Sequence, residues 1–379
     1  MASRFSILQV QGYTTGGSAE HTLILCRGFA AMGWTVVVAC APAANRFTRA
    51  LQAEGIEIVP VPLTGKNDFV SFRRLAGLVR ERRIDCVHTH SRNADWVGLW
   101  AGRASGVPLN LATLHGWMGE QPSQPAKCVK SRAHAWTLRM AADHVIAISQ
   151  AVKDHAVADY GLPADLISVV HNGSDPAAGD VTVESETGAE RLVVSIGSLH
   201  PSKGFLDLID VADRVLRVQD GVKFVVLGEG PQRPALERRI AELSLQGRVL
   251  LPGHRDDAAA VLRRANVLVT TSEWEGFGRT ITEAMACGVP VVARRVGAMP
   301  EIVDQGRTGF LCRTTDDFAA AVTQLLASPS QAARMGAEGR ARFERCFTSA
   351  VNVAATARVI EQELSGRTKE SAGEDAAIA

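Results

Sequence analysis

Short apolar runs alternate with longer stretches of helical period along the whole chain. In the first half the runs are Phe5–Val10, Trp34–Ala39, Ile56–Val59, Ile84–His88, Leu109–Leu114, Val145–Ser149 and Ile167–Val170. Amphipathic segments such as Gly17–Met32 and Asp68–Arg83 lie between them. In the second half the runs are Leu192–Ile196, Val222–Leu227, Val249–Leu251, Val267–Thr271, Val289–Ala293 and Gly309–Cys312. Continuous apolar runs of this length, separated by helices, predict parallel strands covered on both faces. The stretch Gly173–Glu190 interrupts the alternation with Gly, Pro, Ser, Asp and Glu, and reads as a linker. The expected fold class is α/β, with two doubly wound Rossmann-like domains facing across a cleft. The expected divisions are an N-terminal Rossmann-like domain over 1–175, a linker over 176–190 and a C-terminal Rossmann-like domain over 191–348. A helix over 349–365 is expected to pack back toward the first domain, before a disordered tail over 366–379. In such sheets ligands bind beyond the carboxyl ends of the strands.

Composition narrows the partners. With 41 Lys+Arg against 40 Asp+Glu there is no basic field to hold a nucleic acid. The 7 cysteines follow no ligand or disulfide spacing and read as reduced thiols. The start lacks a signal-peptide pattern, and no run of about eighteen apolar residues suggests a membrane span. The expectation is a cytosolic protein, with room for peripheral contact with the inner membrane face.

Four constellations carry chemistry. The segment Glu275-Gly276-Phe277-Gly278-Arg279-Thr280-Ile281-Thr282-Glu283 lies between a strand and a helix. Gly276 and Gly278 leave backbone amides bare at a helix N-terminus, which suits an anion. Its two carboxylates suit sugar hydroxyls, which donate hydrogen bonds. Thr280-Ile281-Thr282-Glu283 also has the spacing of a capping box, which would explain Glu283 without a ligand. Next, Gly197-Ser198-Leu199-His200-Pro201-Ser202-Lys203-Gly204 follows a strand, and Lys203 is expected to open the next helix as a cation beside a diphosphate. Third, Gly16 and Gly17 precede a helix and allow close approach to a phosphate or sugar. Fourth, His115 ends the run Leu109–Leu114. His88 and His90 share one face of a strand end, but no third zinc ligand suggests itself, so no metal is expected and His90 is read as an acceptor contact. Lys127 and Lys130 lie in or beside a Pro-containing loop beyond His115 and are candidates for a phosphate-bearing acceptor or an anionic membrane. Asp256-Asp257 heads a helix and reads as a cap, not a metal-holding Asp-x-Asp.

The Glu275–Glu283 segment continues through 284–293, Val296-Gly297-Ala298-Met299-Pro300-Glu301-Ile302-Val303 and Gly306-Arg307-Thr308-Gly309-Phe310-Leu311. This pattern closely resembles the donor-site signature of the retaining GT-B glycosyltransferases of family 4. The resemblance implies a GT-B fold and a nucleoside-diphosphate sugar as co-substrate, without a cofactor. It also implies a saccharide or lipid-linked acceptor, with surface-polysaccharide or lipopolysaccharide assembly as the setting. By resemblance, the domain over 1–175 is the acceptor side and that over 191–348 binds the donor; Glu275 binds sugar hydroxyls, the Gly276–Gly278 amides the sugar and phosphates, and Glu283 the ribose. Thr113-Leu114-His115-Gly116 matches the element whose histidine nears the donor sugar. The family pattern Gly-Arg-x(4)-Lys-Gly is met at Lys203 but departs at Ser198, and Arg279 is the candidate substitute. Three other readings remain: a nucleotide-sugar epimerase, a non-catalytic nucleotide-sugar binder, and an NAD enzyme. The last is disfavoured because Gly228-Glu229-Gly230-Pro231 lacks a third glycine.

Overall fold

The computed structural model describes residues 4–64, 68–116, 129–175, 191–255 and 257–378, with the side chains of Val129 and 368–378 left aside. Contacts divide the chain into two units, Met1–Gly173 with Ser349–Ala379, and Ser174–Thr348. The expected linker 176–190 lies outside the described residues.

The first unit contains β1 (Ser6–Gln11), β2 (Thr35–Cys40), β3 (Glu57–Pro60), β4 (Cys86–Thr89), β5 (Leu109–Leu114), β6 (His144–Ala147) and β7 (Ile167–Val169). They form one sheet in the order β3-β2-β1-β4-β5-β6-β7, and all its pairings are parallel. Successive residues serve opposite faces: Ile7, Val38 and Cys86 join a cluster with Leu25 and Phe29, whereas Leu8, Val37 and Val87 join one with Leu75 and Val79. Burial on both faces explains why these strands read as unbroken apolar runs. The order reverses direction between β1 and β4, so their carboxyl ends open a crevice that neighbouring crossovers do not fill.

The last helix, Ser349–Ile378, packs Val353, Ala357 and Ile360 into the first of these clusters. Gly28 on the Gly17–Ala31 helix makes this close packing possible, because a Cβ there would lie 2.4 Å from a Val353 methyl. The helix runs on to Ile378, where the sequence reading expected disorder from 366. Helix propagation is inexpensive once packing has nucleated it, and Lys369, Glu370, Ala372, Ala376 and Ala377 favour it.

The second unit contains β8 (Arg191–Ile196), β9 (Val222–Leu227), β10 (Val249–Gly253), β11 (Val267–Thr270), β12 (Val291–Arg294) and β13 (Gly309–Cys312). Their order is β10-β9-β8-β11-β12-β13, again with parallel pairing. The reversal here lies between β8 and β11. The loops leaving these two strands carry Lys203 and Glu275.

Candidate functional site

In the second unit three loops are joined beyond the carboxyl ends of β8, β9 and β11. Gly228 and Gly230 lie so near the loop after β8 that a Cβ would come within 1.9 Å of the Gly197 carbonyl and 2.6 Å of the Leu199 carbonyl. The Leu199 amide donates to the Glu229 carbonyl at 2.9 Å. The Glu273 amide donates to the Ser202 carbonyl at 2.9 Å, and Thr271 Oγ1 to the Gly204 carbonyl at 2.8 Å. Gly204 has φ +64°, and a Cβ there would sit 2.2 Å from the Thr271 carbonyl. The glycine at 204 thus lets the two loops meet.

That meeting places Lys203 Nζ 2.6 Å from Glu275 Oε2. The Lys203 and Glu275 side chains are 29% and 20% exposed, so the pair is reachable from solvent. Lys203 does not open the following helix. It closes a 3₁₀ turn, Pro201–Lys203, and Gly204 intervenes before the helix Phe205–Leu216. Ser198 is exposed.

The helix after β11 is Arg279–Ala286, with Gly278 as N-cap at φ 79° and no side-chain cap. The capping box read at Thr280–Glu283 does not form, because the positive φ at Gly278 starts the helix one residue before Thr280. The Glu283 carboxylate instead faces Arg279, with Oε1 at 3.4 Å from Nη2. Arg279 Nε is buried without a hydrogen-bond partner among the described residues. Gly276, Phe277 and Gly278 are buried, and Phe277 packs edge-on to Phe347 at 5.9 Å. The Asp257 cap also fails: its carboxylate takes two bonds from Arg255 and none from the helix it heads, while Asp256 lies outside the described residues.

Gly297 supports Glu275 from behind. A Cβ there would fall 2.2 Å from the Glu275 carbonyl, which accepts from the Ala298 amide at 3.0 Å. Gly297→Ala, at φ +50°, is therefore expected to cost about 1–3 kcal/mol and to lower the denaturation midpoint. A midpoint equal to that of the unsubstituted protein would contradict this close contact.

In the first unit the crevice between β1 and β4 opens into a cavity of about 370 Å³, lined by Tyr13, Ser18, His90, Arg92, His115 and His134 among others. Gly12 brings the loop after β1 against Ser91, where a Cβ would lie 2.1 Å from Oγ. Gly16, at φ 83°, caps the helix Gly17–Ala31, and Gly17 is its first residue. Arg92 lies over the Trp96 ring at 5.6 Å. The buried Asp95 carboxylate is 2.6 Å from His134 Nε2. Lys130 is exposed at the start of the helix Val129–Ala141, and Lys127 lies outside the described residues.

His88 and His90 do share a strand face, with ring centroids 4.1 Å apart. The register Gln9↔His88 brings β1 alongside them. Gln9 Oε1 lies 2.6 Å from His90 Nε2, and His90 Nδ1 lies 3.2 Å from His115 Nε2. Both ring nitrogens of the fully buried His90 are thus engaged within the protein. Burial lowers the His88 pKa to about 3 and the His115 pKa to about 4, and pushes His90 well below its ordinary value; neighbouring histidines add to the effect at His88 and His90. The cluster is neutral near pH 7. The sequence reading found no third ligand beside His88 and His90, but the fold supplies an alternative trio. His21, His90 and His115 offer nitrogens that all lie within 4.8 Å of one another. His21 was missed because it lies on a helix, and only the β1–β4–β5 neighbourhood brings it to the strand ends. Its one sequence signal is a histidine on an otherwise apolar helix face.

Comparison with known proteins covers both units. Residues 15–178 match the family model described as Glycosyltransferase Family 4, and residues 182–342 match that described as Glycosyl transferases group 1. Glycogen synthase of Mycobacterium tuberculosis (strain H37Rv) is 27% identical over 384 residues, covering 91% of this chain and 90% of the relative. Alpha-maltose-1-phosphate synthase of Mycolicibacterium smegmatis is 31% identical over 297 residues, covering 69% of this chain and 74% of the relative. Among solved structures, Anabaena HepE in complex with UDP and glucose is similar with a TM-score of 0.81 at 23% identity, covering 94% of this chain and 100% of that one.

Proposed function

The chain belongs to glycosyltransferase family 4, and we propose that it is a retaining, metal-independent enzyme moving a sugar from a nucleoside-diphosphate sugar to an acceptor hydroxyl. UDP is the first donor base to test, since the structurally similar HepE binds UDP and glucose. The observation that carries the reading is the Lys203–Glu275 pair at the reversal of the second sheet, beside the N-terminus of the Arg279–Ala286 helix, which no side chain caps.

The barrier to transfer is departure of a diphosphate from a carbon gaining positive charge. Lys203, Arg279 and the backbone amides around Gly276 and Gly278 supply fixed positive potential for the leaving group. These protein cations perform the neutralisation that a divalent ion performs elsewhere. Glu275 accepts from sugar hydroxyls, and Glu283 from the ribose. In the first unit, His115 is assigned as a neutral hydrogen-bonding group toward substrate. Retention fits same-face attack, in which the leaving phosphate helps to take the acceptor proton.

Ser198 removes one charge-assisted phosphate contact, and Arg279 takes its place in this reading. Arg279→Ala is expected to weaken nucleotide binding by roughly ten- to a hundredfold, from about 1.5–3 kcal/mol for a charged hydrogen bond. Unchanged affinity and turnover would remove Arg279 from the site. The general test is a calorimetric screen of UDP-, GDP- and ADP-sugars, followed by hydrolysis and transfer assays on the best binder. Binding without turnover over a broad acceptor panel would identify a non-catalytic binder, and isomerised donor without acceptor an epimerase.

The acceptor is proposed to be a saccharide or lipid-linked hydroxyl met at an anionic membrane surface. Among the described residues no helix is long and apolar enough to cross a membrane. Supporting peripheral contact, the Val129–Ala141 helix exposes Arg132, Trp136, Arg139 and Met140 on one face, with Trp136 57% exposed and its ring tilted against Trp100 at 5.6 Å between centroids. A basic face carrying an aromatic and an apolar side chain suits an interfacial helix. Reversing Lys130 and Arg132 to Glu is expected to reduce flotation with phosphatidylglycerol vesicles more than tenfold, at about 1 kcal/mol for each cation. Equal flotation would exclude this face.

A further inference from the structure

We propose that His21, His90 and His115 form a binding site for one borderline divalent transition-metal ion, of the Zn²⁺, Co²⁺ or Ni²⁺ class, which shares His115 with the proposed sugar-transfer site and takes no part in the transfer itself. The ligand set is three imidazoles, from the Gly17–Ala31 helix and from the carboxyl ends of β4 and β5, with all three donor atoms within 4.8 Å. His90 Nδ1 and His115 Nε2 are 3.2 Å apart. Two nitrogens bound at about 2.0–2.1 Å to a tetrahedral ion stand about 3.3 Å apart, so this pair needs little movement.

The surroundings favour a metal over a plain hydrogen-bonded cluster. Gln9 Oε1 can only accept, so His90 carries its proton on Nε2 and directs the Nδ1 lone pair at His115. A ring N–H donated to a carbonyl is the outer-shell arrangement that orients metal-ligating histidines. Gln9 is fully buried in the middle of a strand, a costly place for an amide that serves nothing. Four polar atoms around this point are buried without hydrogen-bond partners among the described residues: Gln9 Nε2, Gln11 Oε1, His88 Nδ1 and His115 Nδ1. The ion itself ligates none of these four, but such a concentration of unpaired donors and acceptors leaves room for ordered water, which the open position of a three-histidine ion would hold there.

Binding needs no deprotonation of the cluster as a whole. In the metal-free chain His115 Nε2 donates its hydrogen to His90 Nδ1. In the bound form both nitrogens present lone pairs to the ion, and the His115 proton moves to its Nδ1. The trio contains only neutral nitrogen donors, which selects borderline ions over Mg²⁺ or Ca²⁺. Entry is through the cavity that His90 and His115 line.

The test is titration of the chelator-treated full chain with Co²⁺, read by visible absorption and by competition with a chelator. The expected result is one tight site with the intense band of a low-coordinate nitrogen environment. His21→Leu is expected to weaken binding by about 100-fold or more, and Gln9→Leu by about 10–100-fold as an outer-shell partner. His115→Ala, at a less buried position, provides a second ligand deletion if the His21 variant does not fold. Absence of the band in the unsubstituted chain overturns the proposal, as does equal affinity in the folded ligand variants. A bound ion also takes His115 out of service, so Zn²⁺ is expected to inhibit donor turnover. This last consequence rests on the proposed role of His115. Binding without inhibition would support the metal site and overturn that role instead.

Discussion

Glu275→Gln is expected to lower donor turnover by about 100-fold or more while leaving affinity for free UDP within a few-fold. The carboxylate offers acceptor lone pairs on both oxygens, and sugar hydroxyls are donors. An amide presents two N–H donors on one side and loses the charge that complements a carbon becoming cationic. Losses of this size accompany removal of one preorganised electrostatic group from a reaction centre. Stability separates this effect from misfolding. The Lys203–Glu275 pair is partly open to solvent, at 29% and 20% exposure, and pairs of that kind contribute up to about 1 kcal/mol. The denaturation midpoint should therefore barely move. Full turnover in Glu275→Gln would remove this carboxylate from the chemistry, and a collapsed midpoint would reassign it to structure.

Lys203→Ala is expected to act on the other half of the donor. Its ammonium is the cation assigned to the diphosphate, both in the bound donor and more strongly as the bond breaks. Deleting a charge-assisted contact costs about 1.5–3 kcal/mol, or roughly ten- to a hundredfold in UDP affinity. Turnover should fall further, because negative charge grows on the leaving group. With Ser198 already lacking a charge at the family's arginine position, little else in that loop can compensate. Lys203→Arg should recover part of the UDP affinity, since charge survives though the reach differs. Affinity unchanged in Lys203→Ala would place the diphosphate elsewhere.

Much of this fold was legible in the sequence, for a definite reason. Strands buried on both faces read as unbroken apolar runs, and Leu109–Leu114, Val222–Leu227 and Gly309–Cys312 have the ends their composition suggested. Others shift by a residue or two, as Val145–Ser149 did to His144–Ala147, because pairing register and not composition ends a strand. Strand order was not legible. It decides which loops flank the reversals, and so why Lys203 and Glu275 meet. Close approaches were hidden too. Gly204 against Thr271 and Gly297 against Glu275 are contacts between distant segments, and a lone glycine does not announce its neighbour.

Placement of the candidate site residues was legible where they lie on one loop and was not where several elements converge. Gly276, Gly278 and Arg279 stand at the helix start as the spacing suggested. The capping box at Thr280 failed because one positive φ shifted the helix start. His90 reads in the sequence as an acceptor contact, yet Gln9 and His115 occupy its ring nitrogens. Three strands and a helix supply that cluster, and no local period encodes it.

The most direct test of the central claim is calorimetric titration of UDP-glucose into the full-length protein and into Lys203→Ala, in buffer containing a metal chelator. One site is expected in the unsubstituted chain, with binding weakened at least tenfold by the substitution. No UDP-sugar binding without metal, or equal affinity in both proteins, would contradict that claim.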